Sequence, residues 1–349
     1  MRIAFLTNTL DNPEHVNIGD VFIGQGLKYL FDRAFKNIEW VDISRFSPFD
    51  QEDYDKMNSC DFVIYAGMPQ YNNLDDWSFY YDEQIWHDLK DKVKLPVLRL
   101  AGGGGYPSET MKPKAFSEHL SKSQKTIDVL KFTERICKLY TTRDSMAQQF
   151  LIDNGIKSTL LPCSGTFACH YWDIHQTTKE FSAICITSPY IKDREDEEKI
   201  MHEWIEVKNY LEKFYNKPCK VICQEKKTDY DYLLKWFKED KIFMEKSSKE
   251  ITEFYGKIDV VVTTRIHCAL PIFGIGGRPI IIRVDTRGSV GEIVDIPIVK
   301  LDGFDCKMIR DINETKLFSK FDPIELMKSS INFYSQNVPI ALKDIWKWD

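Results

Sequence analysis

The sequence predicts an α/β protein made of two Rossmann-like domains followed by a helical C-terminal tail. Three observations carry this. Short apolar runs alternate with amphipathic stretches along most of the chain; a segment mixing Pro, Gly, Ser, Trp and two His divides it at residues 162–179; and the alternation resumes beyond that segment. At 349 residues the chain exceeds a typical single core, and 43% hydrophobic with 29% charged residues is an ordinary globular mix.

The first half reads as a strand at 2–7, a polar loop through Asn17 and an amphipathic helix at 20–35. Strands follow at 38–41, 62–66 and 97–101, with a helical stretch at 77–89. A helix at 125–137, a strand at 139–142, a helix at 145–154 stopped by Gly155, and a strand at 159–161 complete it. The second half has strands at 183–187, 220–223, 242–244, 260–263 and 279–284. Helices at 198–214, 229–237 and 249–255 separate them, the last opened by a Ser247/Glu250 capping box and closed by Gly256. Segments 324–334 and 339–346 read as two terminal helices. Apolar strands alternating with helices imply parallel sheets covered on both faces. The expected domains are 1–165, 180–320 and a tail at 321–349, a GT-B-like arrangement in which the tail can cross back to the first domain.

The net charge of −6 and the intermixing of acidic and basic residues exclude a general nucleic-acid binder. Lys-rich stretches at 112–125 and 208–220 could touch an anionic membrane surface peripherally, but a solvated helix face explains them more simply. The nine cysteines show no CxxC pair and cannot all pair within one chain, so reduced thiols are expected. Cys219 with Cys223, and Cys163 with Cys169 and His170, lack further ligands, so no metal site is expected. The first ten residues are too few and too polar for a signal sequence, and no run reaches transmembrane length, which points to the cytoplasm.

In open parallel sheets, ligands bind beyond the carboxyl ends of the strands. Four places qualify. Asn17, Gly19 and Asp20 end the loop after the first strand, where Gly19 lets backbone approach a ligand and Asp20 can cap the helix or act as a base. Gly67 ends another strand, and Gly102 to Gly105, including Gly103 and Gly104, follow the strand at 97–101 as a turn or a ligand loop. Arg143 and Asp144 follow the strand at 139–142 and could pair with each other or meet a ligand. The sharpest feature is the run from Val260 to Ala269, in which a buried strand delivers Arg265 and His267 onto the first turn of a helix. There a guanidinium can grip a carboxylate or phosphate bidentately, an imidazole can donate a proton, and the helix dipole attracts an anion. Tyr71, Trp77, Tyr80 and Tyr81 could stack on a sugar or equally cover the core.

In these motifs, taken in order, the sequence resembles the polysaccharide pyruvyl transferase family. The series is Asn17-x-Gly19-Asp20, the strand ending at Gly67, the glycine run, Arg143-Asp144, and Thr263-x-Arg265-x-His267 with Gly277, Arg278 and Pro279 downstream. The chain departs from the family pattern at Ala66 to Pro69, at Ala147, at Cys163 and Ser164 where an Asp is common, and at Arg287 where a Lys is usual. The resemblance implies a GT-B-like transferase moving the pyruvyl group of phosphoenolpyruvate onto a sugar of a cell-surface or exopolysaccharide precursor, closing a ketal and releasing phosphate. It implies no cofactor and no essential metal; phosphoenolpyruvate is the donor substrate and a saccharide, lipid-linked or nucleotide-linked, the acceptor. On that reading His267 is the acid and Asp20 the base, Arg265 and Arg287 hold the donor with Asn17 and Gly19, and Gly67, Gly103, Gly104, Arg143 and Asp144 face the acceptor. The alternatives are a GT-B glycosyltransferase using a nucleotide sugar, with Arg265 on the diphosphate, and a catalytically silent glycan-binding relative.

Overall fold

A computed structural model describes residues 1–7, 17–45, 48–67, 69–75, 80–224, 227–244 and 247–343. The first half runs β1 (Arg2–Thr7), α1 (Ile18–Ala34), β2 (Glu39–Ser44), α2 (Gln51–Asn58), β3 (Phe62–Ala66) and β4 (Pro69–Tyr71). It continues with α3 (Tyr80–Asp88), β5 (Val97–Gly104), α4 (Pro113–Ser121), α5 (Gln124–Ile136), β6 (Cys137–Thr142), α6 (Ser145–Asp153) and β7 (Thr159–Leu160). After α7 (Ala168–Tyr171) come β8 (Phe181–Cys185), α8 (Glu197–Tyr215), β9 (Cys219–Cys223), α9 (Lys227–Leu233), β10 (Ile242–Met244) and α10 (Ser248–Tyr255). The rest is β11 (Ile258–Thr263), α11 (Ile266–Gly274), β12 (Arg278–Arg283), β13 (Ile298–Lys300), α12 (Cys306–Thr315) and α13 (Pro323–Leu342).

Two parallel sheets result. The first has the order β2-β1-β3-β5-β6-β7, with β4 beside β5; the second has the order β10-β9-β8-β11-β12-β13. Every residue of β3 and of β11 is buried, as strands covered by helices on both faces require. Each such Val or Ile removed from water contributes on the order of 1.5–3 kcal/mol.

Several expectations are corrected. The strand expected at 97–101 continues through Gly104, because Gly102 pairs with Thr142 and Gly103 with Pro69; the glycine run is sheet rather than turn. The two helices expected at 324–334 and 339–346 are one helix, α13, as far as the described residues reach. Pro339 sits inside it, where losing one backbone donor matters less than the buried stripe of Tyr334, Val338 and Leu342 that continues past it. That stripe packs on the first half, with the Phe31 and Tyr334 rings 4.9 Å apart.

Residues 164–167, in the segment dividing the two halves, form a buried turn wedged between α1 and α11. The Ser164 hydroxyl donates to the Ile23 carbonyl at 2.8 Å. A β-carbon on Gly26 would lie 1.8 Å from the Ser164 carbonyl oxygen, and one on Gly274 1.7 Å from that of Thr166, so neither position admits a side chain. A second brace ties the loop after β5 to the loop after β12: the Tyr106 amide donates to the Thr286 hydroxyl at 2.8 Å and the Thr286 amide to the Tyr106 carbonyl at 3.1 Å.

Candidate functional site

Strand order reverses at β1/β3 in the first sheet and at β8/β11 in the second. Crossovers leave such a point in opposite directions and open a crevice beyond the carboxyl ends of the strands. The two crevices meet here in a single cleft of about 690 Å³ counted to its mouth, within the range of small-molecule sites.

On the second-half side, Thr264 stitches the ends of β8 and β11 together. Its amide donates to Cys185 O at 3.0 Å, and its hydroxyl accepts from the Thr187 amide at 2.8 Å. Arg265 is the N-cap residue of α11 and caps it with no side chain, so the helix start is presented to the cleft. Its guanidinium donates to Asp229 Oδ2 at 3.0 Å, and the Ser188 hydroxyl donates to the other oxygen of that buried carboxylate. Arg287 is aimed in the same way: its Nε and the Tyr190 hydroxyl each donate to Asp285 Oδ2 at 2.8 Å. Burial works against the Arg287 charge, but Asp285 and Asp20 more than offset it and hold its pKa above the usual value.

On the first-half side, helix α1 begins at Ile18, two residues earlier than expected, because the Asn17 side chain is its N-cap and accepts from the Gly19 amide at 2.9 Å. Asp20 is therefore not the cap; it stands in the first turn, facing the cleft. Gly19 touches His267 directly, since a β-carbon there would lie 2.3 Å from Nδ1. The other ring nitrogen, Nε2, is 3.9 Å from Cys163 Sγ. Burial, then the charges of Arg143, Arg287 and Arg265, hold the His267 pKa well below the ordinary histidine range. These surroundings favour the neutral form of the ring.

Arg143 is the least compensated charge in the cleft. It is 2% exposed, its Nε has no partner, and Nη1 reaches only Cys163 Sγ at 4.0 Å. Among the described residues no carboxylate pairs with it. Asp144 does not, because its Oδ1 accepts from the Ala147 amide at 2.8 Å, capping α6, and its Oδ2 accepts from the Gly104 amide at 3.0 Å. Burial pushes the Asp144 carboxyl up to about 6 despite these donors.

The structure thus gathers Asn17, Gly19, Asp20, Arg143, Arg265, His267 and Arg287 around one cleft. Gly67, Gly103, Gly104 and Asp144 do not line it. Gly67 makes a left-handed turn (φ +80°) behind α1, Gly104 packs on Phe116, and Asp144 is structural. Tyr71 and Trp86 are core residues, Trp77 lies outside the described residues, and the Tyr80 and Tyr81 side chains are likewise not described. Asp229, Asp285 and Tyr190 were missed by sequence reasoning. The rule that flagged Arg265 would have found Asp285, which follows the carboxyl end of β12. Among the described residues no group of three or more His, Cys, Asp or Glu could hold a metal, and no helix is long and apolar enough to cross a membrane.

A family model described as polysaccharide pyruvyl transferase matches residues 17–271. No curated protein matches the chain significantly. Among solved structures, MnaA of S. aureus with UDP is similar over 91% of this chain and 89% of its own, with TM-score 0.51 and 13% identity. A UDP-N-acetylglucosamine 2-epimerase matches over 100% and 96%, with TM-score 0.51 and 13% identity. The Neisseria meningitidis enzyme bound to UDP-GlcNAc matches over 99% and 100%, with TM-score 0.50 and 10% identity. At such identities the likeness establishes the fold, a GT-B-like pair of Rossmann-like halves.

Proposed function

The chain belongs to the polysaccharide pyruvyl transferase family and is a transferase, and from that premise we propose that it moves the pyruvyl group of phosphoenolpyruvate onto a saccharide, closing a ketal and releasing phosphate. The observation that carries this reading is the buried Arg143 guanidinium, which pairs with no carboxylate among the described residues and opens with Arg265 and Arg287 onto the His267 ring. A buried charge of this kind calls for an anion, and a carboxylate plus a phosphate on one small molecule would occupy three guanidinium groups. Arg143, assigned to the acceptor from sequence, is reassigned to the donor.

In the proposed reaction the donor anion lies among the three arginines, and its charge brings His267 to the imidazolium form. His267 Nδ1 or Nε2 gives a proton to the methylene carbon, and positive charge develops at the neighbouring carbon. A sugar hydroxyl attacks that carbon while Asp20, across the cleft, takes its proton. A second hydroxyl then forms the other C–O bond as the bond to phosphate breaks, and its proton leaves with the phosphate. The arginines stabilise charge on the departing phosphate.

Two measurements test this. Phosphoenolpyruvate is expected to raise the unfolding temperature where UDP-N-acetylglucosamine does not; the reverse result favours a nucleotide-sugar glycosyltransferase. Incubation with phosphoenolpyruvate and a panel of glycans, read by mass spectrometry, is expected to give a pyruvate adduct that His267→Ala abolishes. Saccharide binding with no turnover of either donor would leave a silent binding protein.

A further inference from the structure

The groups facing His267 come from five elements. Arg265 lies on its own turn, Arg143 follows β6, Arg287 follows β12, Asp20 and the Gly19 backbone belong to α1, and Cys163 precedes the interdomain turn. The carboxylates nearby are engaged elsewhere: Asp229 with Arg265, Asp285 with Arg287, Asp144 with two backbone amides, while the charge of Asp20 supports Arg287. The group opposite Nε2 is a thiol, and Gln224, which donates to the His267 carbonyl at 3.2 Å, is neutral. Burial pushes the Cys163 thiol up, so it stays protonated and offers the ring no negative charge.

We infer that Cys163 is a positioning residue which, by facing Nε2 with a thiol instead of a carboxylate, leaves His267 without a counter-charge, so that the ring takes up its proton only when an anion settles among Arg143, Arg265 and Arg287. The inference rests on reading this cleft as the anion site of the proposed reaction. Its consequence is that the acid is assembled by the substrate it acts on. The geometry explains how: the anion offsets the guanidinium charges that oppose a further cation beside them, while Gly19 and Sγ flank the ring and hold it at the cleft.

The test uses sulfate, which keeps its charge throughout the neutral range and so contributes no proton of its own. Sulfate is titrated calorimetrically into the full chain at pH 7 in two buffers of different ionisation enthalpy, which counts protons. Uptake of close to one proton per sulfate is expected for the wild type and for Cys163→Ser, and close to none for His267→Gln. Cys163→Asp should bind sulfate with little uptake, because His267 then carries its proton beforehand; without sulfate, the ¹³Cε1 resonance of His267 should report the protonated ring at pH 7 in that variant and the neutral ring in wild type. Sulfate bound by the wild type with no proton uptake, or undiminished uptake in His267→Gln, overturns the inference and leaves the proposed donor untouched. If sulfate does not bind and phosphoenolpyruvate gives no protection, the anion site and the inference fall together. Should Cys163→Asp not fold, the wild type, Cys163→Ser and His267→Gln decide the matter.

Discussion

Arg143→Met separates what the fold needs from what the site needs. The wild-type guanidinium is buried, pairs with no carboxylate among the described residues, and leaves Nε without a hydrogen bond, which by itself costs about 1–3 kcal/mol. Methionine fills similar volume with no charge to desolvate, so the variant is expected to be more stable by about 1–3 kcal/mol, a rise of roughly 1–4 °C in Tm. Binding should move the other way. Losing a charge-assisted contact worth roughly 1.5–3 kcal/mol weakens phosphoenolpyruvate by about ten- to a hundredfold. At a concentration one hundred times the wild-type Kd, protection falls from about 2.7 kcal/mol to between about 0.4 and 1.4 kcal/mol. Thermal unfolding with and without phosphoenolpyruvate reads both effects in one experiment. A variant less stable than wild type whose ligand-induced shift is unchanged would refute the reasoning, because Arg143 would then be a structural residue and the donor anion would lie elsewhere.

Gly19→Ala puts a methyl group 2.3 Å from His267 Nδ1, about 1 Å short of an ordinary contact. The imidazole or the loop must yield by that amount, and turnover measured by phosphate release is expected to fall roughly a hundredfold with little change in Tm; near-wild-type turnover would show that the ring position is not critical. Asp144 predicts a pH effect on stability. Burial raises its pKa in the folded protein to about 6, above the ordinary aspartate value, so the stability it contributes is full below about pH 4 and is lost as pH rises through about 6. Asp144→Asn loses one acceptor, about 1 kcal/mol at pH 4, but removes this slope of up to about 3 kcal/mol, so the variant should be the less stable protein at pH 4 and the more stable one at pH 7. Parallel urea midpoints across that range would contradict it.

Sequence reasoning read best where one local signal acted alone. The strands at 62–66 and 242–244 have the expected limits, because an apolar run bounded by polar residues leaves little choice of register. The pairing of Arg265 with His267 on a strand-to-helix turn was likewise legible, because it needs only the end of β11 and the start of α11. Three features were not. The glycines of β5 have no side-chain pattern, and only partner strands decide that they extend the sheet. The stretch after β12 was unassigned because β13 is three residues long and its burial alternates weakly. Asp229 and Asp285 look like ordinary loop carboxylates until the fold sets them behind Arg265 and Arg287.

The turn at 164–167 leaves a lasting mark on how this protein can vary. Two carbonyl oxygens rest against bare α-carbons of helices from opposite halves, with no side chain between them to be lengthened or shortened. The distance across the cleft is therefore gauged by main chain, and exchanging loops around its mouth can reshape one wall while the arginines and imidazole keep their distance from Asn17, Gly19 and Asp20.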